Sequence, residues 1–174
     1  MRNIGILLPL LSLVIICCDT SKPNQVENGQ DELQSLEIHR DLDVEKLKSK
    51  DLIYVPIYSD IYADEQNQSL LLAATLSIRN THMTDSLFID QIKYYNTQGD
   101  MVRDFINEET IGIPPMATVN YVIEKEDNSG GAGANFIVSI YGEQKDMKPI
   151  IQAVMVHYSG NKGFAFTTNG FSIL

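Results

Sequence analysis

A chain of 174 residues with 44% hydrophobic residues has enough apolar surface for one core and too little length for two comfortable domains. Its formal net charge of -10 and pI near 4.6 argue against phosphate backbones and anionic lipid surfaces as electrostatic partners, so no nucleic acid is expected. Both cysteines, Cys17 and Cys18, close an N-terminal apolar run, leaving the rest of the chain without a thiol for a disulfide or a thiolate metal site.

Met1-Arg2-Asn3 supplies one positive charge, and Ile4 to Ile16 is an apolar run about as long as the core of a signal peptide. A spanning helix needs roughly 20 apolar residues, and the charged sequence from Asp19 onward cannot extend this one. The junction Ile15-Ile16-Cys17-Cys18 resembles the bacterial lipoprotein signal, with a branched aliphatic residue three positions before a cysteine and a small residue directly before it. Cys17 as the modified residue would place bulky Ile16 beside the cut, so Cys18 is the expected lipid attachment site. The resemblance implies cleavage before Cys18, acylation of its thiol and amine with palmitate-type chains, and a place on the periplasmic or cell-surface side of the bacterial envelope.

Residues 1–17 are then the signal peptide, and residues 18–50 an acidic polar tether. That stretch is rich in Asn, Gln, Ser and charge, holds Pro23 and Gly29, and contains no aromatic residue. Leu33, Leu36 and Arg40 could share a short helical face, and Asp43 could cap another helix through Leu47.

From Asp51 to Leu174 strands dominate. Ile53 to Tyr58 is built of β-formers interrupted by Pro56, which cannot donate to a ladder and so predicts an edge strand. Leu72, Ala74, Leu76 and Ile78 alternate with Ala73, Thr75, Ser77 and Arg79, the pattern of a half-buried strand. Ser86 to Tyr95 forms the next strand, and a slip in period between Ile89 and Ile92 predicts a bulge. Thr97-Gln98-Gly99-Asp100 reads as a hairpin turn into Met101 to Ile106, and Gly112, Pro114 and Pro115 as a break. Val119, Tyr121 and Ile123 alternate toward a core, as do Phe136, Val138 and Ile140; Pro149 opens an apolar strand through Val156, and Gly163 to Leu174 closes the chain. About eight strands, short turns and no helical crossover predict an all-β, antiparallel β-sandwich of immunoglobulin-like form, without that fold's paired cysteines or core Trp.

Several of these stretches together resemble a family of bacterial envelope proteins, the domain of unknown function 3124 (DUF3124). They are Tyr54 to Ser59, Leu71 to Asn80, Tyr94-Tyr95 with Gly99, Ser129 to Val138, and Pro149-Ile150-Ile151 with Ala153-Val154-Met155. The resemblance covers about Asp51 to Phe171 and implies an envelope setting with no assigned activity. The family tends to carry an arginine before the last glycine, where this chain has Asn169 before Gly170.

The candidate binding loop is Asp127, Asn128, Ser129, Gly130, Gly131, Gly133 and Asn135. It does not suit a phosphate cradle, because it leads into the strand Phe136-Ile137-Val138 rather than a helix N-terminus. Two readings stand. In one, Asp127, Asn128 and Ser129 cap a tight turn while the glycines permit close approach to a neighbouring strand. In the other, the polar side chains contact a protein or glycan partner, as loops on rigid sandwiches often do. Glu124, Glu126, Asp127 and Asn128 offer hard oxygens for calcium without the ligand spacing of a known loop, so neither a metal nor a cofactor is expected.

Tyr54, Tyr58 and Tyr62, four residues apart, would share one side of an extended strand and could stack on a glycan. Arg79 is expected to pair with an acid such as Asp85 or Asp90. His39, His82 and His157 show no ligand spacing, and Ser129 lacks the preceding glycine of a nucleophile elbow. The expectation is therefore a lipid-anchored, non-enzymatic interaction or structural module. A small-ligand, glycan or calcium binder is the alternative, and an envelope hydrolase using Ser129 or His157 a third.

Overall fold

The computed structural model describes residues 37–38, 42–43, 47–62, 69–107 and 109–174, and among them every regular element is a strand. In chain order these are β1 (Glu37–Ile38), β2 (Ser49–Pro56), β3 (Asp60–Tyr62), β4 (Ser69–Leu71), β5 (Ala73–Arg79), β6 (Leu87–Tyr95) and β7 (Met101–Asp104). They continue with β8 (Ile111–Ile113), β9 (Thr118–Ile123), β10 (Asn135–Gly142), β11 (Ile150–Ser159), β12 (Lys162–Asn169) and β13 (Phe171–Ser172). All the pairings are antiparallel. One sheet runs β1-β8-β6-β10-β2-β13, with β7 also on β6; the other runs β12-β11-β5-β9, and β3 pairs β4 apart from both.

The two sheets close on each other because each strand puts every second side chain inward. Ala74, Leu76 and Ile78 of β5 are fully buried, and so are Phe136 and Val138 of β10 and Val55 of β2. Val119, Tyr121 and Ile123 of β9 join the same core, against Ile89, Ile92 and Tyr94 of β6. Burying each large side chain of this kind contributes about 1.5–3 kcal/mol. The result is an antiparallel β-sandwich, and its chain changes sheet between β2 and β5, by way of the β3–β4 pair, and again at β5 to β6, β8 to β9, β9 to β10, β10 to β11 and β12 to β13. Repeated crossing is the feature it shares with immunoglobulin-like sandwiches.

The predicted bulge lies in β6, where Ser139 pairs Gln91 and Ile140 pairs Ile89, leaving Asp90 as the extra residue. This lets Ile89 and Ile92 both face the core. The displaced Asp90 accepts a hydrogen bond from the Tyr141 hydroxyl at 2.9 Å.

Four sequence expectations are corrected. There are more strands than about eight, because β1, β3, β4, β8 and β13 are two or three residues long, too short for alternation to mark them. Strand β2 is not at the edge: β13 pairs Ile53 and Tyr54, stopping before Pro56, whose missing N–H therefore costs no ladder bond on that side. Gly112 lies inside β8, and the break falls at Pro114 to Met116, where Met116 takes a positive φ of 61°. Finally, β1 lies within the stretch expected to be a tether, pairing Glu37 with Gly112 and Ile38 with Ile111 on the outer edge of β8. Of the helical signals in that stretch, the Leu33, Leu36 and Arg40 face lies outside the described residues.

Candidate functional site

The predicted binding loop sits at the end of the sandwich where β2 finishes and β10 starts, with Asn135 paired to both Pro56 and Tyr95. Its glycines answer to close approach. A Cβ on Gly130 would lie 1.8 Å from the Tyr94 hydroxyl and 2.8 Å from the Ala134 Cβ, so no larger residue fits without moving the core beneath. Gly131 has φ +71°, a conformation that favours glycine.

The loop backbone is tied to two neighbours. On one side Thr97 donates from its N–H and its hydroxyl to the Gly130 carbonyl at 2.8 and 2.9 Å, while its Oγ1 accepts from the Gly133 N–H at 2.9 Å. On the other side Ser59 donates from its N–H and hydroxyl to the Gly131 carbonyl at 3.2 and 3.1 Å, and the Ile57 N–H donates to Ala134 at 2.9 Å. The turn that carries Thr97 is itself held by Asn96, whose Oδ1 accepts from the N–H groups of Gln98 and Asp100. Below the loop, burial pushes the ionisation of Tyr94 up from its ordinary range.

The loop's side chains divide into two groups. Asp127 is engaged: Oδ1 accepts from the Ser129 N–H and hydroxyl, and Oδ2 from Arg103 at 3.1 Å. Asn128 and Ser129 are exposed, whereas Asn135 is half-buried within β10. Among the described residues no three His, Cys, Asp or Glu side chains come together, so Glu124, Glu126 and Asp127 do not form a convergent set.

The opposite end holds a cavity of about 290 Å³ between the sheets. Its rim carries Lys50, Lys145 and Lys148 with Asp51, and its floor is made of core residues including Ile53 and Ile151. The segment 143–149 forms one wall by folding back until Met147 rests on Gly142, where a Cβ would meet the Met147 Cγ. Thr81 steadies this segment by donating its hydroxyl to the Lys148 carbonyl at 2.6 Å. Sequence reasoning missed this site. Its one signal is the lysine-rich run Lys145-Asp146-Met147-Lys148 in an otherwise acidic chain.

The family model described as "Protein of unknown function (DUF3124)" matches residues 50–173. The chain belongs to the DUF3124 family. The DUF3124 match starts one residue into β2 and includes β13, so both the loop end and the cavity end lie within the family's domain. A search of curated proteins finds no match to the chain. Among solved structures, a crystal structure of Thermotoga maritima 1070 aligns at 14% identity over 70% of this chain and 92% of its own, with a TM-score of 0.42.

The remaining candidate residues of the DUF3124 domain are dispersed. The imidazole of His82 pairs with Asp85 at 2.8 Å, and a hydrogen bond from the Thr84 hydroxyl, with His82 alongside, holds Asp85 below the usual carboxylate range. His157 bonds the Leu71 carbonyl through Nδ1 at 2.8 Å and stacks on Phe164. Arg79 reaches neither predicted acid, donating instead to the Ser77 hydroxyl at 3.3 Å; Asp85 and Asp90 already have the partners named above. The three tyrosines do not share one strand, because the chain leaves β2 after Pro56 and β3 belongs to a separate pair. Tyr54 lies opposite Phe171, Tyr58 packs edge-on against Phe166, and Tyr62 is exposed. His39, Cys18 and the apolar leader lie outside the described residues.

Proposed function

We propose that this DUF3124 protein is a lipid-anchored, non-enzymatic interaction module of the bacterial cell envelope, which presents the end bearing Asp127 to Asn135 to a protein or glycan partner. The observation that carries this reading is the direction of β2. It enters the fold at Ser49, beside Gly142 and the cavity, and ends at Pro56, beside the loop. A chain tethered through Cys18 would therefore keep the cavity end toward the membrane and the loop end away from it. Strand β1 pairs at the same membrane-side end, through Gly112 of β8, which also pairs Phe88 near the start of β6. The segment between Cys18 and β1 reaches at most about 60 Å at roughly 3.3 Å per residue.

Two further features support a binding rather than a catalytic role. The loop's backbone is braced from both sides, so Asn128 and Ser129 stand on a rigid frame at little entropic cost to a partner. The groups that could begin nucleophilic chemistry are already bonded to different neighbours, Ser129 to Asp127 and His157 to Leu71. Crosslinking in intact cells, followed by purification of the full chain, tests the proposal. A discrete crosslinked partner that disappears in the Asn128→Arg/Ser129→Arg variant supports it. Turnover of an envelope polymer or ester by the purified chain, abolished in Ser129→Ala or His157→Ala, would contradict it.

A further inference from the structure

We propose that the cavity at the membrane-side end is a binding site for a small organic anion with a short apolar body, of which a medium-chain carboxylate is the simplest example. The argument begins with charge. The chain carries a formal net charge of -10, yet the cavity rim gathers three lysines against the single carboxylate of Asp51. That carboxylate is already occupied by the protein, its Oδ1 accepting from the Ser172 hydroxyl at 2.7 Å and the Leu52 N–H at 2.8 Å.

The lysines have fewer partners. Among the described residues the ammonium groups of Lys145 and Lys148 have no hydrogen-bond or ion-pair partner, and that of Lys50 lies 5.3 Å from the centre of the Tyr141 ring. The three ammonium groups sit on exposed side chains around one opening, where an anion entering the cavity could be met by any of them.

Below the rim, core side chains supply the apolar part of a lining that is otherwise polar. Ile53, Leu87, Ile140 and Ile151 line the cavity and belong to the buried core, and Met147 adds a flexible thioether wall. The walls come close because two glycines allow it: besides Gly142 under Met147, a Cβ on Gly170 would lie 2.5 Å from Ile53 Cγ2. A cavity of about 290 Å³ lies just below the usual range for ligand pockets, roughly 300–1,000 Å³. It therefore takes a ligand of about ten non-hydrogen atoms and excludes oligosaccharides and peptides. A neutral sugar would leave the ammonium groups unused, and a cation would meet all three of them.

The test uses the full chain and two probes of one shape, hexanoate and its neutral analogue hexanamide, with inorganic phosphate as a third. Melting temperature and the Met147 methyl resonance are followed by titration. The expected result is a hexanoate-dependent rise in melting temperature and a shift of the Met147 resonance, both weakening as salt is added. Hexanamide gives neither, and Lys145→Glu/Lys148→Glu weakens hexanoate binding at least tenfold while melting normally without ligand. Equal responses to hexanoate and hexanamide, equal binding by the double variant, or phosphate binding as tightly as hexanoate would each overturn the proposal. Because this site lies at the opposite end from Asn128 and Ser129, its failure leaves the partner-binding proposal untouched.

Discussion

The two ends of this sandwich are built on opposite principles. At the loop end, glycine backbone is packed directly on side chains: Gly130 sits against Tyr94, and Thr97 and Ser59 tie the Gly130 to Ala134 segment from either side. At the cavity end a single segment, 143–149, spans the gap between sheets and leaves an open cavity whose rim carries Lys145 and Lys148, which among the described residues have no hydrogen-bond or ion-pair partner. Glycine loops are easily taken as places of freedom, but here the glycines mark the tightest contacts. The lysine-bearing segment beneath is where the fold leaves space for something else.

The sharpest way to break this contrast is Gly130→Ala. A Cβ at 1.8 Å from the Tyr94 hydroxyl forces the loop or the core to move, and a loss of about 3 kcal/mol is expected in urea denaturation. Adding Tyr94→Phe recovers only part of it, since the ring carbon Cζ and Ala134 remain within 2.8 Å. A loss below about 0.5 kcal/mol would show that the loop is slack.

Thr97→Val tests the bracing with a smaller effect. It removes the acceptor of the Gly133 N–H while leaving the Thr97 N–H on Gly130, and a cost of about 1–2 kcal/mol follows for the same denaturation measurement. Hydrogen exchange at the Gly133 amide should speed up in this variant, with exchange in segment 143–149 unchanged.

Between the two ends, Tyr121 provides a control in the core. Its hydroxyl is buried with no hydrogen-bond partner among the described residues, its ring packs edge-on against Phe105, and burial raises its ionisation well above the ordinary 10.0. Tyr121→Phe should leave stability unchanged or raise it by about 1 kcal/mol. Because the folded phenol holds its proton above the unfolded value, the wild type loses stability as pH rises past 10, and the variant loses less.

The acid side carries a smaller effect. Asp85 ionises below its usual 3.8, so its contribution is present above that pH and disappears as pH falls through the lowered value. In Asp85→Asn the fall in melting temperature below about pH 4 should be shallower, with His82 and Thr84 as the partners lost. The smallest change is expected from Lys145→Glu/Lys148→Glu, within about 0.5 kcal/mol of wild type, because among the described residues neither ammonium has a partner to lose.

What could be read from the residues themselves was whatever repeats with period two. The faces of β5, β9 and β10 follow directly from Leu76, Tyr121 and Val138 and their neighbours at alternate positions. Even the Asp90 bulge is visible, since an extra residue must shift the phase between Ile89 and Ile92. Strands of two or three residues carry no period, so β1, β8 and β13 are set by the open sheet edges they cover rather than by local pattern. The loop was legible as a turn with glycines under steric demand, but its braces Ser59 and Thr97 are 72 and 33 residues away in sequence from the groups they hold. The cavity was the least legible feature. Its rim joins Lys50 to Lys145 and Lys148, and only the β2–β10 pairing brings those positions together.

The functional account depends on which end of the fold is tied to a membrane, and mass spectrometry of the protein isolated from its own cells tests that most directly. The account predicts a mature N-terminus at Cys18 carrying thioether-linked and amide-linked acyl groups. An unmodified chain that still begins at Met1 would contradict it.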